Sequence, residues 1–421
     1  MRILWVKMGG LWPPTSGGRT RSLQLITELS RHHEVTVVTT HGDGDDPQGL
    51  SEALPRCQRV ISFEYQVPKR GSRAFPLTVA RSWLSREPVD LWKWRVKDVA
   101  GCARGLVDAG SVDVCIADFL FAVTNVPLQH KTPVILFEHN VEYLIWKRLH
   151  DLETVPWKKA LLAVEWRKLR AREAAACRRA DMTIAVSQHD RDRLAALAPD
   201  ADITWIPTGV DTDYFNPALN RERPHHIVFS GSMDWHPNED GVRYFLGEIL
   251  PLVRQRVPDA SFAIVGRNPS ALLKAAALES GATVTGTLDD IRPAIADASV
   301  CVVPLRAGSG TRLKIFEALS MGKAVVSTTL GAEGLDITPG LHYVAADGAR
   351  PFADAVVSLL TDDDRRRQIA AAGRTLVEER YSWSQAARPF ERHCQSVIEK
   401  HAFQRTAAGS RAHLSPVRSA R

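Results

Sequence analysis

Short apolar runs alternate with helix-patterned stretches along the chain, and this rhythm constrains the fold more than any other feature. Ile3–Val6, Glu34–Thr39, Val112–Ala117, Val134–Phe137 and Met182–Val186 read as strands of a first run. His226–Ser230, Ser261–Val265, Thr283–Thr285, Val300–Pro304 and Ala324–Ser327 begin the rhythm again. Helical stretches lie between them, such as Leu23, Ile26 and Leu29 on one side, and Trp157–Arg179 with many bases. Strands that are continuously apolar and alternate with helices predict α/β architecture, a parallel sheet covered on both faces. Two such runs, joined by a turn-rich stretch with Pro217 and Pro224, predict two doubly wound domains. The expected division is 1–217, 218–382 and a basic tail at 403–421, with a loop holding Gly17-Gly18 before the first helix.

Composition narrows the function classes. With 44% hydrophobic and 24% charged residues the chain is globular in type. Its apolar runs are all shorter than the ~18 residues that span a bilayer. The opening Met1-Arg2-Ile3-Leu4-Trp5-Val6-Lys7 reaches a second charge too early for a signal-peptide core and reads as a strand. Six cysteines are scattered without a C-x-x-C pair, which suits a reducing, cytoplasmic setting and predicts neither a disulfide framework nor a zinc site. The formal charge is +6, and five bases with no acid follow Glu399. The body of the chain is therefore close to neutral, and no nucleic-acid partner is expected.

The most informative string is Val302-Val303-Pro304-Leu305-Arg306-Ala307-Gly308-Ser309-Gly310-Thr311-Arg312-Leu313-Lys314-Ile315-Phe316-Glu317-Ala318-Leu319. A buried strand runs into a small-residue loop that opens a helix. Glycines let backbone approach a ligand, and free N–H groups at a helix start favour an anion such as a diphosphate. Lys314 and Glu317, three apart, share a helix face. The lysine can neutralise phosphate while the carboxylate accepts hydrogen bonds from ribose hydroxyls. The triphosphate pattern G-x-x-x-x-G-K-[ST] and the dinucleotide pattern G-x-G-x-x-G after the first strand are both absent.

Several further stretches join this one: Ser16-Gly17-Gly18 with Arg19 and Arg21, Glu138-His139-Asn140-Val141-Glu142, Ile206-Pro207-Thr208-Gly209-Val210-Asp211 with Phe215, Phe229-Ser230-Gly231-Ser232, Val265-Gly266-Arg267, Gly331-Ala332-Glu333-Gly334 and Tyr381-Ser382-Trp383. Together they resemble the GT-B glycosyltransferases of the retaining group 1, family 4 type, including bacterial enzymes of exopolysaccharide and cell-surface glycan assembly. The resemblance covers residues 1 to about 395. It implies two Rossmann-like domains facing across a cleft, the first for the acceptor and the second for the nucleotide-sugar donor. A helix at about 383–402 would return to the first domain.

By the same resemblance Glu317 matches the ribose-binding glutamate, and Gly308, Gly310 and Thr311 match the phosphate loop. Gly18, Gly231, Arg267 and Lys314 fall at donor-binding positions, and His139 near the transferred sugar. Ser309 stands where many members carry a second glutamate that touches sugar hydroxyls, so the sugar contact must differ here. The implied reaction moves a sugar, with retention, from a UDP- or GDP-sugar to a glycan or lipid-linked acceptor. Catalytic roles would fall to His139, Lys314 and Glu317.

Such a transfer needs a stabilised leaving diphosphate and exclusion of water. The departing phosphate can take the acceptor's proton, so His139 is assigned to positioning and electrostatics. No cofactor and no metal is expected. Asp43-Gly44-Asp45 reads as a solvated loop, and Asp362-Asp363-Asp364 as a helix start. Bases interleaved with Phe75, Leu77, Trp83, Leu84, Trp92 and Trp94 suit an anionic membrane surface at the inner face of the cell membrane. Two other readings of the same fold stay open: a nucleotide-sugar 2-epimerase, and a non-catalytic nucleotide-sugar binding or scaffold protein.

Overall fold

The computed structural model describes residues 1–68, 74–128, 131–219, 222–233, 235–307 and 313–412. The chain falls into two compact units, one of Met1–Pro207 with the chain from Ala386, the other of Thr208–Gln385. The break comes before residue 217 because the intervening segment is fastened into the second unit. The Val210 N–H donates to the Tyr381 carbonyl, and a Cβ on Gly209 would sit 2.6 Å from the Trp383 ring.

The first unit holds strands β1 (Arg2–Lys7), β2 (Glu34–His41), β3 (Arg59–Glu64), β4 (Val114–Asp118), β5 (Val134–Glu138), β6 (Met182–Ala185) and β7 (Ile203–Trp205). They form one sheet in the order β3-β2-β1-β4-β5-β6-β7, each neighbouring pair parallel. The second unit holds β8 (His226–Ser230), β9 (Ser261–Val265), β10 (Thr283–Gly286), β11 (Val300–Val303), β12 (Ala324–Ser327) and β13 (Val344–Ala345). Their order is β10-β9-β8-β11-β12-β13, again parallel throughout.

Every residue of β4, β5, β11 and β12 is buried, as helices on both faces require. The strands that sequence reasoning did not find are β3, β7 and β13. All three are sheet edges, half-buried and of mixed composition, so they lack the apolar signature. The Gly17-Gly18 pair also differs from expectation: it forms the first turn of the helix Gly17–Leu29, capped by the Ser16 hydroxyl accepting from the Arg19 N–H.

In each sheet the strand order reverses once, between β1 and β4 and between β8 and β11. Connections leave these neighbouring strands in opposite directions and open a crevice at their carboxyl ends. The candidate residues cluster there.

Candidate functional site

At the first reversal β1 ends in Lys7 and β4 in Asp118, paired across the sheet and both buried. Lys7 Nζ lies 3.5 Å from Asp118 Oδ2, which also accepts the Trp5 indole N–H at 2.8 Å. His139 follows the last residue of β5 and is buried. Its Nε2 approaches Asp118 Oδ1 to 2.7 Å, close but poorly aligned for a hydrogen bond. Arg21, on the first helix and buried, places Nη1 3.0 Å from His139 Nδ1.

A guanidinium only donates, so Nδ1 is the acceptor and the imidazole proton sits on Nε2, facing Asp118. Burial pushes His139 down to about 3 against the pull of Asp118, so the ring is neutral at pH 7. Burial alone would raise Asp118, but Lys7 and His139 hold it at about 2. Lys7 is lowered by burial to about 8 and Arg21 to about 10, each opposed by Asp118. At neutral pH the cluster thus carries two cations against one carboxylate.

Phe119, next after β4, stacks on the His139 ring at 3.8 Å between centroids and receives Lys7 Nζ 4.0 Å from its own. Its φ of +71° is a left-handed conformation unusual for an aromatic residue, of the kind that collects at functional sites. Gly18 makes the stack possible. A Cβ there would lie 2.6 Å from Phe119 Cζ.

Behind His139 lies a second buried group. Glu173 accepts the backbone N–H groups of Glu142 (2.7 Å) and Tyr143 (3.0 Å), closing the start of the helix Glu142–Leu152, whose own N-cap residue Val141 supplies no side-chain acceptor. Glu138, Glu142 and Glu173 are all buried. Burial, reinforced by Glu142, raises Glu173. Burial, with Glu173 and Glu142 close by, also raises Glu138 well above the ordinary value. Burial raises Glu142 to about 7 from the ordinary 4.5.

Between those two values the folded chain keeps on Glu142 a proton that the unfolded chain has released. Stability from this group is therefore present below 4.5 and lost as pH rises through about 7. Glu142→Gln should accordingly gain melting temperature relative to the parent as pH is raised across this window. A difference that stays constant with pH would contradict the assignment.

The second reversal gathers the other candidates. Gly231 follows β8, Gly266 and Arg267 follow β9, and the helix Leu313–Ser320 follows the loop after β11. The Gly231 N–H donates to the Val265 carbonyl at 2.8 Å. A Cβ on Gly266 would lie 1.8 Å from the Gly231 carbonyl oxygen, and one on Gly231 would lie 2.6 Å from Lys314 Nζ. The backbone contact leaves no room for a side chain at Gly266, and one at Gly231 would displace the Lys314 ammonium. Lys314 Nζ donates to Asn238 Oδ1 at 2.8 Å and stands 4.1 Å from the Phe229 ring centroid. The Asn238 amide donates in turn to the Ser232 carbonyl, and Arg267 Nε donates to the Ser232 hydroxyl at 2.7 Å.

Glu317, one turn beyond Lys314, is partly buried. Burial raises its carboxyl to about 7, with Lys314 pulling the other way. Gly308, Ser309, Gly310 and Thr311 lie outside the described residues. The chain on either side of them is well anchored. Arg306 is bound by Asp240 (2.7 Å) and lies over the Tyr244 ring, and the Thr328 hydroxyl donates to the Leu305 carbonyl at 2.6 Å. Phe316 stacks on Tyr381 at 4.4 Å, which fixes the helix carrying Glu317 and gives the Tyr381-Ser382-Trp383 stretch a structural purpose.

His139 and Gly18 therefore meet in the first unit, and Gly231, Arg267, Lys314 and Glu317 belong to the second. Sequence reasoning missed Lys7, Asp118 and Phe119. The available signal was a charged residue terminating each of two apolar strands that turn out to be neighbours. Asp45 pairs with Arg19 at 2.6 Å, and Asp46 and Asp362 cap helices. Among the described residues no three His, Cys, Asp or Glu side chains are grouped to hold a metal ion.

Two doubly wound parallel sheets, each with candidate residues at its reversal point, define a protein of the GT-B class. Residues 15–214 match the model described as Glycosyltransferase Family 4, and residues 224–362 the model described as Glycosyl transferases group 1. The chain belongs to this glycosyltransferase family. It is 32% identical over 229 residues to the phosphatidyl-myo-inositol mannosyltransferase of Mycobacterium tuberculosis, 51% of this chain and 59% of that one. Over 234 residues it is 30% identical to the GDP-mannose-dependent alpha-(1-6)-phosphatidylinositol monomannoside mannosyltransferase of the same organism, 49% of this chain and 60% of that one.

The chain thus matches about three fifths of the length of these relatives. Sucrose-phosphate synthase from Thermosynechococcus elongatus superposes with a TM-score of 0.71 at 16% identity, covering 95% of this chain and 99% of that one. Anabaena HepE, solved in complex with UDP and glucose, gives 0.63 at 15%, covering 94% and 99%. At such identities the likeness is one of fold.

Proposed function

We propose that the protein transfers a sugar, with retention, from a UDP- or GDP-sugar to a glycan or lipid-linked acceptor in cell-surface polysaccharide synthesis. The observation that carries this reading is the second unit's reversal point. There a glycine-lined strand end, a lysine held by Asn238 and a carboxylate one helical turn away come together, the last two shortly after residues 308–311 in the sequence. In this reading the loop and Lys314 meet the diphosphate, Glu317 accepts the ribose hydroxyls, and Gly231 and Arg267 border the donor. Support for the donor class comes from a relative described as GDP-mannose-dependent and a neighbour holding UDP and glucose.

His139 orients the transferred sugar and does not act as a base. Both ring nitrogens face protein groups, and a ring whose pKa burial lowers to about 3 is a weak base. The leaving diphosphate takes the acceptor's proton, and the reaction needs neither metal nor cofactor. Thermal unfolding across a panel of UDP-, GDP-, ADP- and dTDP-sugars tests the donor: one nucleotide should stabilise the protein, by about 2.7 kcal/mol at 100 times its Kd. Stabilisation by none would overturn the reading. Conversion of a donor without any acceptor would instead favour a 2-epimerase.

The acceptor reading extends to the membrane. No helix among the described residues is long and apolar enough to cross one. Leu84 (91% exposed), Trp157 (62%) and Trp83 (46%) are bared on the first unit among Arg81, Arg86, Lys158 and Lys159. Apolar side chains set among bases suit the surface of an anionic bilayer, as a peripheral protein at the inner face of the cell membrane. Lys69, Arg70 and Arg73, counted with this patch, lie outside the described residues. Flotation with phosphatidylglycerol-containing vesicles should carry the protein at low salt and lose it with Trp83→Ser and Leu84→Ser combined. Flotation that is independent of these residues, or absent, would sink the membrane proposal.

A further inference from the structure

A groove of about 370 Å3 opens on the first unit, none of Lys7, Asp118 and His139 lining it, and its chemistry is one-sided. Arg95, Arg104, Arg172 and Arg179 line it against a single acid, Glu87. Glu87 pairs with Arg172 at 2.7 Å and with Arg95 at 3.2 Å, which leaves the rim strongly positive. Arg104 and Arg179 have no ion-pair partner among the described residues. Apart from Thr124 the rest of the lining is apolar, with Val123 and Leu128 partly exposed and Leu91, Leu120, Val126 and Pro127 buried behind them.

A cationic rim beside an apolar lining is complementary to one kind of ligand, an anion carrying a hydrocarbon chain. Arginine is the side chain best shaped to grip phosphate oxygens in pairs. A volume of this size falls in the range of small-ligand sites. The groove also shares the helix Pro156–Arg179 with the exposed patch: Trp157 and Val164 stand bare on its first half, and Arg172 and Arg179 reach the groove from its last turns.

We infer that this groove binds a monophosphorylated lipid, its phosphate among Arg104, Arg179 and Arg172 and part of its chain along Val123 and Leu128. The site deepens the lipid-linked acceptor reading and rests on it. Donor chemistry is untouched by it, because none of the groove residues is among those assigned to the nucleotide-sugar.

The test is calorimetric titration of the full chain with dodecyl phosphate below its micelle concentration, beside inorganic phosphate, dodecyl maltoside and poly-glutamate. Dodecyl phosphate should bind one site at least about tenfold more tightly than any of the other three. Arg104→Glu with Arg179→Glu should lose at least about tenfold in affinity while keeping the parent's thermal unfolding and donor response. Val123→Trp, which fills the groove and leaves the charges in place, should lose binding as well.

Equal binding of inorganic phosphate or maltoside, or unaltered binding by both variants, would overturn the inference. Tighter binding of poly-glutamate would overturn it too and make the groove a docking site for an acidic protein. If dodecyl phosphate fails to bind while one donor still stabilises the chain, the groove proposal falls and the transferase reading stands. If no donor stabilises the chain either, the transferase reading falls separately.

Discussion

Replacing Glu317 by alanine is expected to weaken nucleotide-sugar binding by about 100-fold. A carboxylate that accepts two ribose hydroxyls makes two charge-assisted hydrogen bonds, each contributing roughly 1.5–3 kcal/mol, and the loss of both amounts to about 3 kcal/mol. Thermal shift or calorimetry with the stabilising donor reads this directly. Because Glu317 loses its proton only near pH 7, donor affinity in the parent should rise as pH is raised through about 7. Glu317→Gln should abolish that rise, since an amide does not titrate there. The helix is anchored by Phe316 on Tyr381, not by Glu317, so the variants should fold normally. A parent-like affinity with parent-like pH dependence would remove Glu317 from the donor site.

The second large effect is on stability. Asp118→Asn leaves Lys7 buried without its countercharge and leaves Arg21 with Asp190 as its remaining nearby acid, and it should cost about 3–5 kcal/mol, which for a unit of this size lowers the melting temperature by roughly 10 °C. Adding Lys7→Met to Asp118→Asn removes the stranded cation. The double variant should therefore be less damaged than the sum of the singles, by about 0.5–3 kcal/mol in a double-mutant cycle. Additive losses would mean that Lys7 and Asp118 stabilise the fold independently. The same substitution takes away the acid that faces the Nε2 proton of His139, so its His139 should titrate differently, an effect that NMR of the ring would follow.

Apart from the edge strand β10, the strands found from the sequence were those buried along most of their length, where apolar continuity is unbroken. The second unit's site was similarly legible, because Gly231, Lys314 and Glu317 sit on one loop-and-helix element or on an adjoining strand end. The first unit's site was only half legible. His139 belongs to a compact stretch, whereas Lys7 and Asp118 are more than a hundred residues apart, and each looks like an ordinary polar residue ending a strand. Gly18 reads as a turn residue until the Phe119 ring is seen against it.

The sequence alone determined the class of fold, since periodicity and burial on two faces are written locally in runs of a few residues. It determined the family as well, through short strings that each occupy one strand end or one helix start. The tertiary structure decided what depends on strand order. Placing β4 beside β1 brings Lys7 to Asp118, burying both strand ends lowers His139 and raises the glutamates behind it, and packing four helical segments together collects four arginines beside Val123 and Leu128. Charges separated along the chain acquire a joint energy only when folding removes the water between them, and no local pattern encodes that removal.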